Sequence, residues 1–213
     1  MTGLLFFMVL VIQLVTVYLD NKTNMHDFFV RVQKGTVASA YTNRGITLTI
    51  ARTLFYVVPP LLGYIILNAS HAEMKQLILA AGFINLLITL FQSIKYCDVF
   101  EKKLFSEMLV LKPIYFQLDF YVGILAFMFF LITPYLLNYF ALIFPGQGLW
   151  IVQLNAVVNS FLTLYVIWIF EPRIAKKIDK KNDYQDEFFE AIFVRLYGRL
   201  ITFVLIVPLI LLF

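Results

Sequence analysis

"ARTLFYVVPPLLG", residues 51–63, is apolar enough for a membrane, yet it carries an arginine and, two turns later, a double proline. An arginine in hydrocarbon costs at least about 2.5–3.5 kcal/mol on insertion scales. Proline removes a helical hydrogen bond and bends the helix. Whether this stretch crosses a membrane decides the fold, and the rest of the chain answers it.

The 213 residues are 62% hydrophobic and only 14% charged, with a mean hydropathy of +0.85. Ordinary soluble domains are far more polar. The apolar residues gather in long blocks separated by charged stretches, the pattern of transmembrane helices. A hydrocarbon core about 30 Å thick needs about 20 residues per helix. Spans are expected near Thr2–Leu19, Ile46–Leu67 (with an interfacial stretch back to Thr36), Gln76–Lys95, Ile114–Phe144, Leu149–Phe170 and Leu196–Phe213. The fourth is long enough to tilt or break. The fold class is therefore all-α: a single polytopic membrane domain over 1–213 with about six transmembrane helices. The first span lacks a basic leader and a small-residue cleavage site, so it reads as a retained helix.

Charge sets the expected orientation. Of the 17 Lys and Arg, four fall in 20–45, four in 95–113 and six in 171–195, whereas the second loop has only Lys75. The positive-inside rule places those three basic segments in the cytoplasm and both termini outside. The same charges suit anionic lipid headgroups, so membrane lipids are expected partners. The most polar stretch, 171–195, reads as a cytoplasmic loop with an amphipathic surface segment. Its acidic run "NDYQDEFFE" (182–190) reads as a solvated face, with cation binding as the lesser alternative.

Polar residues recur inside the spans at helical spacing. They are Gln13, Thr16 and Asp20; Thr49, Arg52, Thr53 and Tyr56; Asn85, Thr89 and Gln92; Asn155, Asn159 and Thr163; and Arg195, Arg199 and Thr202. Gln117, Asp119 and Tyr121 lie near the start of the fourth span. Their convergence at one depth points to a polar vestibule open to the cytoplasm. Singly, the amides and hydroxyls suit hydrogen bonds between helices equally well. Arg52 lies two turns past the expected boundary and Arg199 about one, so Arg199 snorkels more easily. Two readings of Arg52 remain: an ion pair with Asp119, or an anionic ligand such as a phosphate. Asp119 serves as that fixed partner or couples to protons. Pro59, Pro60, Pro134 and Pro208 sit in the outer parts of their helices and are candidate hinges.

Other chemistry is thinly represented. One cysteine, Cys97, and two histidines, His26 and His71, give neither a disulfide framework nor a Cys/His metal site. No catalytic serine elbow or zinc-protease motif occurs. No catalytic residue, metal or cofactor is expected, and the basic charge reads as topology, not nucleic-acid binding.

Three stretches resemble the Amj family of lipid II flippases. "KGTVASAYTNRGITLTIARTLFYVVPPLLG" (34–63) has the family's Arg-Thr pair, Arg52-Thr53, eight residues before Pro60-Leu61-Leu62-Gly63. "VVNSFLTLYVIWIFEPRIAKKIDKK" (157–181) looks like its Asn-led helix ending in an acidic-Pro pair, with Asn159, Glu171, Pro172, Ala175 and Asp179 in those places. "RLYGRLITFVLIVP" (195–208) looks like its final Arg-Leu-x-Gly helix. Ala51, Glu171 and Arg199 stand where that family usually has Ser, Asp and Thr.

The resemblance implies transport of lipid II, a polyprenyl-pyrophosphate-linked peptidoglycan precursor, across a bacterial cytoplasmic membrane. Arg52 and Arg199 would hold the pyrophosphate, and Asn85, Asn159 and Thr163 the sugars. Thr53 and Gln92 would complete the vestibule, and Asp119 and Glu171 would pair or couple. The alternatives are another polyprenyl-phosphate lipid, a non-transporting scaffold of the cell envelope, or an enzyme on lipid-linked substrates sensitive at Asp119 or Glu171. Of these, transport is preferred to catalysis. A homodimer would suit so small a transporter.

Overall fold

A segment inside a bilayer must satisfy its own backbone N–H and C=O groups, and a helix does so without a partner strand. The apolar runs of this chain follow that constraint. The computed structural model describes residues 2–102, 104–109, 117–179 and 185–212, and no strand occurs among them. The expected start of the fourth span near Ile114, the last residue Phe213, and Lys103, Lys112, Lys180 and Lys181 lie outside the described residues.

Helix α1 (Thr2–Lys22) continues through a π-helical turn, Thr23–Asp27, into α2 (Phe28–Gln33). Gly35 then closes α2 in a left-handed conformation, φ +73°. The Thr36 N–H bonds back to Arg31 O and the Gly35 N–H to Val32 O, a Schellman turn that needs a residue without a Cβ. Helices α3 (Val37–Phe55) and α4 (Val58–Ile66) follow. A capping box between Ser70 and Glu73 starts α5 (His71–Tyr96). Next come the short α6 (Leu104–Leu109), α7 (Leu118–Phe129) and α8 (Thr133–Ile143). Helix α9 (Gly148–Leu164) passes through a π-helical stretch, Tyr165–Phe170, into α10 (Glu171–Asp179). Helix α11 (Gln185–Leu212) ends the described chain.

Among the described residues, five helical segments are long and apolar enough to cross a membrane: Gly3–Gln33, Val37–Ile66, His71–Tyr96, Pro145–Asp179 and Gln185–Ile210. The pair α7 and α8, bent by 54°, makes a sixth if it counts as one span. The fold is thus all-helical with the expected number of apolar spans. The boundaries differ. Most of 20–45, expected as a loop, is helix, because α1 runs on into α2 and α3 begins at Val37. The expected surface segment 171–195 is divided between α10 and the first turns of α11. Every residue from Glu187 to Leu196 is buried, so α11 begins as the central post of the bundle, flanked by α5 and α7. Large apolar side chains such as Phe7, Leu67, Phe91 and Trp168 face outward, as a lipid-facing perimeter requires.

The break between α7 and α8 is stitched by other helices. Leu131 sits at φ +69°, a costly conformation for a side-chain-bearing residue. Phe130 leaves the helical conformation at ψ 138°, so its carbonyl has no helical donor. In its place, Arg199 Nη1 donates to Phe130 O at 2.5 Å and to Phe127 O at 3.0 Å. Thr202 Oγ1 donates to Met128 O, and Gln13 Nε2 to Leu131 O at 3.2 Å. Non-helical backbone at membrane depth persists only where protein or water satisfies it. Gly198 lets α11 come this close: a Cβ there would lie 2.9 Å from Met128 N and from Phe127 C.

Candidate functional site

One face of α3 carries Arg44, Leu48, Ala51, Arg52 and Phe55 at helical spacing, and this face borders a lateral cleft. Its outer part is a groove of about 40 Å³ in which Arg52, Phe55 and Tyr56 face Asn159, Leu162 and Thr163 of α9, with Phe130 as floor. Within α9, Leu162 is the buried residue and much of the rest lies open. The Arg52 side chain is half-buried and makes no hydrogen bond or ion pair with any described residue. Asn159 Nδ2 donates to Asn155 Oδ1 at 3.3 Å, while Asn159 Oδ1 is buried and unpartnered. The Thr163 hydroxyl donates to Asn159 O at 3.2 Å and keeps its acceptor capacity.

Past Arg52 the cleft narrows to about 20 Å³, room for about one water. Arg44, Arg52 and Arg195 line this inner part, with Asp20 as its acidic member. Its walls are tied together. Asn24 Nδ2 donates to Asp20 Oδ1 at 3.0 Å, Arg44 Nε to Asn24 Oδ1 at 2.8 Å, and Arg195 Nε lies 3.4 Å from Asp20 Oδ2. The Arg195 guanidinium also stands 4.3 Å from the centre of the Phe127 ring, a cation–π contact. Cations outnumber Asp20 in the lining, so the cleft favours an anion. Guanidinium groups offer it parallel paired hydrogen bonds.

The structure brings together part of the expected vestibule. Arg52, Asn159 and Thr163 share the groove. Arg199 does not join them: it is buried against the α7–α8 break with its Nη1 used on carbonyls. Asn85 accepts from Gln13 Nε2 at 2.7 Å. Gln92 Nε2 donates to Tyr18 O and Tyr96 Oη. Both amides therefore join α1 and α5, the role that amides commonly take between membrane helices. Thr53 is exposed on another side of α3.

The expected Arg52–Asp119 pair does not form. Asp119 lies in the first turn of α7, beside α10, and its partner is Arg173 at 3.7 Å. Glu171 pairs with Arg44 at 3.0 Å. Pro59, Pro60 and Pro134 sit in the first turns of α4 and α8, just after breaks, where a missing N–H costs little. Pro208 lies inside α11, which continues past it. Sequence reasoning missed Asp20, Asn24, Arg44 and Arg195 as a bonded set. The available signal was Arg44 lying two turns before Arg52 on one helix face.

Among the described residues no group of three or more His, Cys, Asp or Glu is placed to hold a metal ion. The cleft lining, with three arginines and one aspartate, is chemically suited to an anion. No family model matches the chain, and no curated protein or solved structure is significantly similar to it.

Proposed function

We propose that the protein is a membrane carrier of a lipid-linked phosphate, which takes the headgroup sideways into the α3–α9 cleft while the lipid tail stays in the bilayer. Lipid II in a bacterial cytoplasmic membrane is the cargo to test first, on the strength of the three resembling stretches. The observation that carries the reading is Arg52: a half-buried cation in a groove, without a hydrogen bond or ion pair to any described residue. An arginine at membrane depth is functional by default, and phosphate is the anion its geometry fits best. Asn159 and Thr163 supply neutral hydrogen-bonding groups beside it, suited to sugar hydroxyls.

The test is translocation of labelled lipid II in proteoliposomes, with an externally added probe. Wild type moves the lipid. Arg52→Ala loses at least about tenfold in rate, yet melts close to wild type because Arg52 has no described partner to lose. Arg52→Lys recovers part of the rate, since the charge stays and the paired geometry goes. Full transport by Arg52→Ala overturns the role. Movement of labelled undecaprenyl phosphate in place of lipid II keeps the site and changes the cargo.

A further inference from the structure

Arg44 separates two cavities. On one side is the inner cleft shared with Arg52. On the other is a cavity of about 190 Å³ between the α1–α2 junction and α3, lined by Thr23, Asp27, Arg31, Asn43 and Thr47. The inner cleft is the smaller of the two spaces, at about 20 Å³.

The Arg44 guanidinium is held in place. It stands 5.3 Å from the centre of the Phe28 ring and 5.8 Å from that of Phe170. Its Nε is fixed by Asn24, which is itself fixed by Asp20. Its Nη1 is buried without a hydrogen bond, and the Glu171 carboxylate stands against it, Oε1 at 3.0 Å, as an ion pair. The two partners differ in exposure: the Arg44 side chain is 3% exposed and that of Glu171 is 38%. A fixed, buried cation thus meets a carboxylate that water reaches. Glu171 also opens α10 directly after the π-helical stretch Tyr165–Phe170, and such irregular turns are frequent at functional sites.

We propose that Glu171 is an internal gate for the cleft and that Arg44 is a second anion-binding residue, occupied in this state by the Glu171 carboxylate. The substrate phosphate displaces Glu171, and Arg44 then clamps it together with Arg52. This inference rests on the reading of the cleft as a phosphate site.

The experiment measures binding of farnesyl pyrophosphate, a short polyprenyl pyrophosphate, to the full chain in detergent, with a melting curve for each variant. Glu171→Gln removes the competing anion and binds about fivefold tighter, the worth of a partly exposed ion pair. Arg44→Gln binds about tenfold weaker or worse. The exchanged variant Arg44→Glu/Glu171→Arg keeps opposite charges on α3 and α10 but loses the bond to Asn24 and the ring contacts, so it melts below wild type, and it binds as poorly as Arg44→Gln. If Glu171→Gln and Arg44→Gln both bind like wild type while Arg52→Ala loses the probe, the gate is overturned and the cleft reading stands. If the exchanged variant binds like wild type, Arg44 acts only through the fold and the inference fails. If neither wild type nor Glu171→Gln binds the probe, both readings fall.

Discussion

Arg199 Nη1 on α11 reaches Phe130 O at 2.5 Å, a carbonyl left without a helical donor where the α7 ladder stops. One side chain thus supplies, from a different helix, a hydrogen bond that the break in the backbone removes. The same Nη1 also reaches Phe127 O at 3.0 Å, so the last turn of α7 and the residue that ends it are both held from α11. Charge-assisted bonds of this kind are the stronger sort, at about 1.5–3 kcal/mol each.

Arg199→Ala is accordingly a folding mutation. It orphans two carbonyls in a buried place, and the loss is about 3 kcal/mol. Arg199→Lys recovers part, because an ammonium reaches one carbonyl but lacks the guanidinium fork. Thermal melting in detergent reads this directly. An Arg199→Ala protein that melts like wild type but no longer binds farnesyl pyrophosphate would return Arg199 to the phosphate.

The difference between Arg199 and Arg52 marks the limit of what the sequence conveys. Both are arginines inside apolar runs, and their local contexts look alike. Their roles diverge because α7 breaks beside Arg199 and a gap opens beside Arg52, and both facts depend on helices far away in the chain. The helices themselves were legible, since length and hydropathy fix them. The break in the long fourth span was also legible as a possibility, from its length and Pro134. Arg44 was hidden for another reason. It lies in a stretch whose charges read as a cytoplasmic loop, yet α1 runs on into α2 and α3 begins at Val37, and the side chain is buried.

Gly198→Ala tests the close approach that puts Arg199 in range. The added Cβ would meet Met128 N and Phe127 C at 2.9 Å, and these are backbone atoms that cannot rotate away. Overpacking of this kind costs about 1–3 kcal/mol. Gly123→Ala adds a Cβ 2.5 Å from the Tyr165 hydroxyl and 2.9 Å from Val194 Cγ1, both on buried side chains, so its melting temperature falls as well. A Gly198→Ala protein as stable as wild type would mean that α7 and α11 separate without loss, and the stitching account of the break would fail with it.

The last prediction concerns the ion pair that anchors α10. Arg173 Nη1 donates to Glu190 Oε1 at 2.8 Å and its Nη2 to Gln117 Oε1 at 2.7 Å, so one guanidinium links α10 to α11 and to the residue before α7. Glu190 is fully buried, with the Tyr165 hydroxyl donating to it at 3.3 Å. Breaking a buried pair from one side leaves an uncompensated charge, at a cost of about 3–5 kcal/mol. Arg173→Met should therefore destabilise strongly. Glu190→Gln should cost less, because the amide oxygen still accepts from Tyr165 and Arg173 remains close to Asp119. The double variant Arg173→Met/Glu190→Gln should be more stable than Arg173→Met alone, since it removes the orphaned carboxylate. Melting of the four proteins in detergent gives the coupling directly. Additive losses would mean that the pair contributes nothing as a pair, and α10 would then be held to the bundle by its apolar face and by Lys177–Glu187 at 3.5 Å.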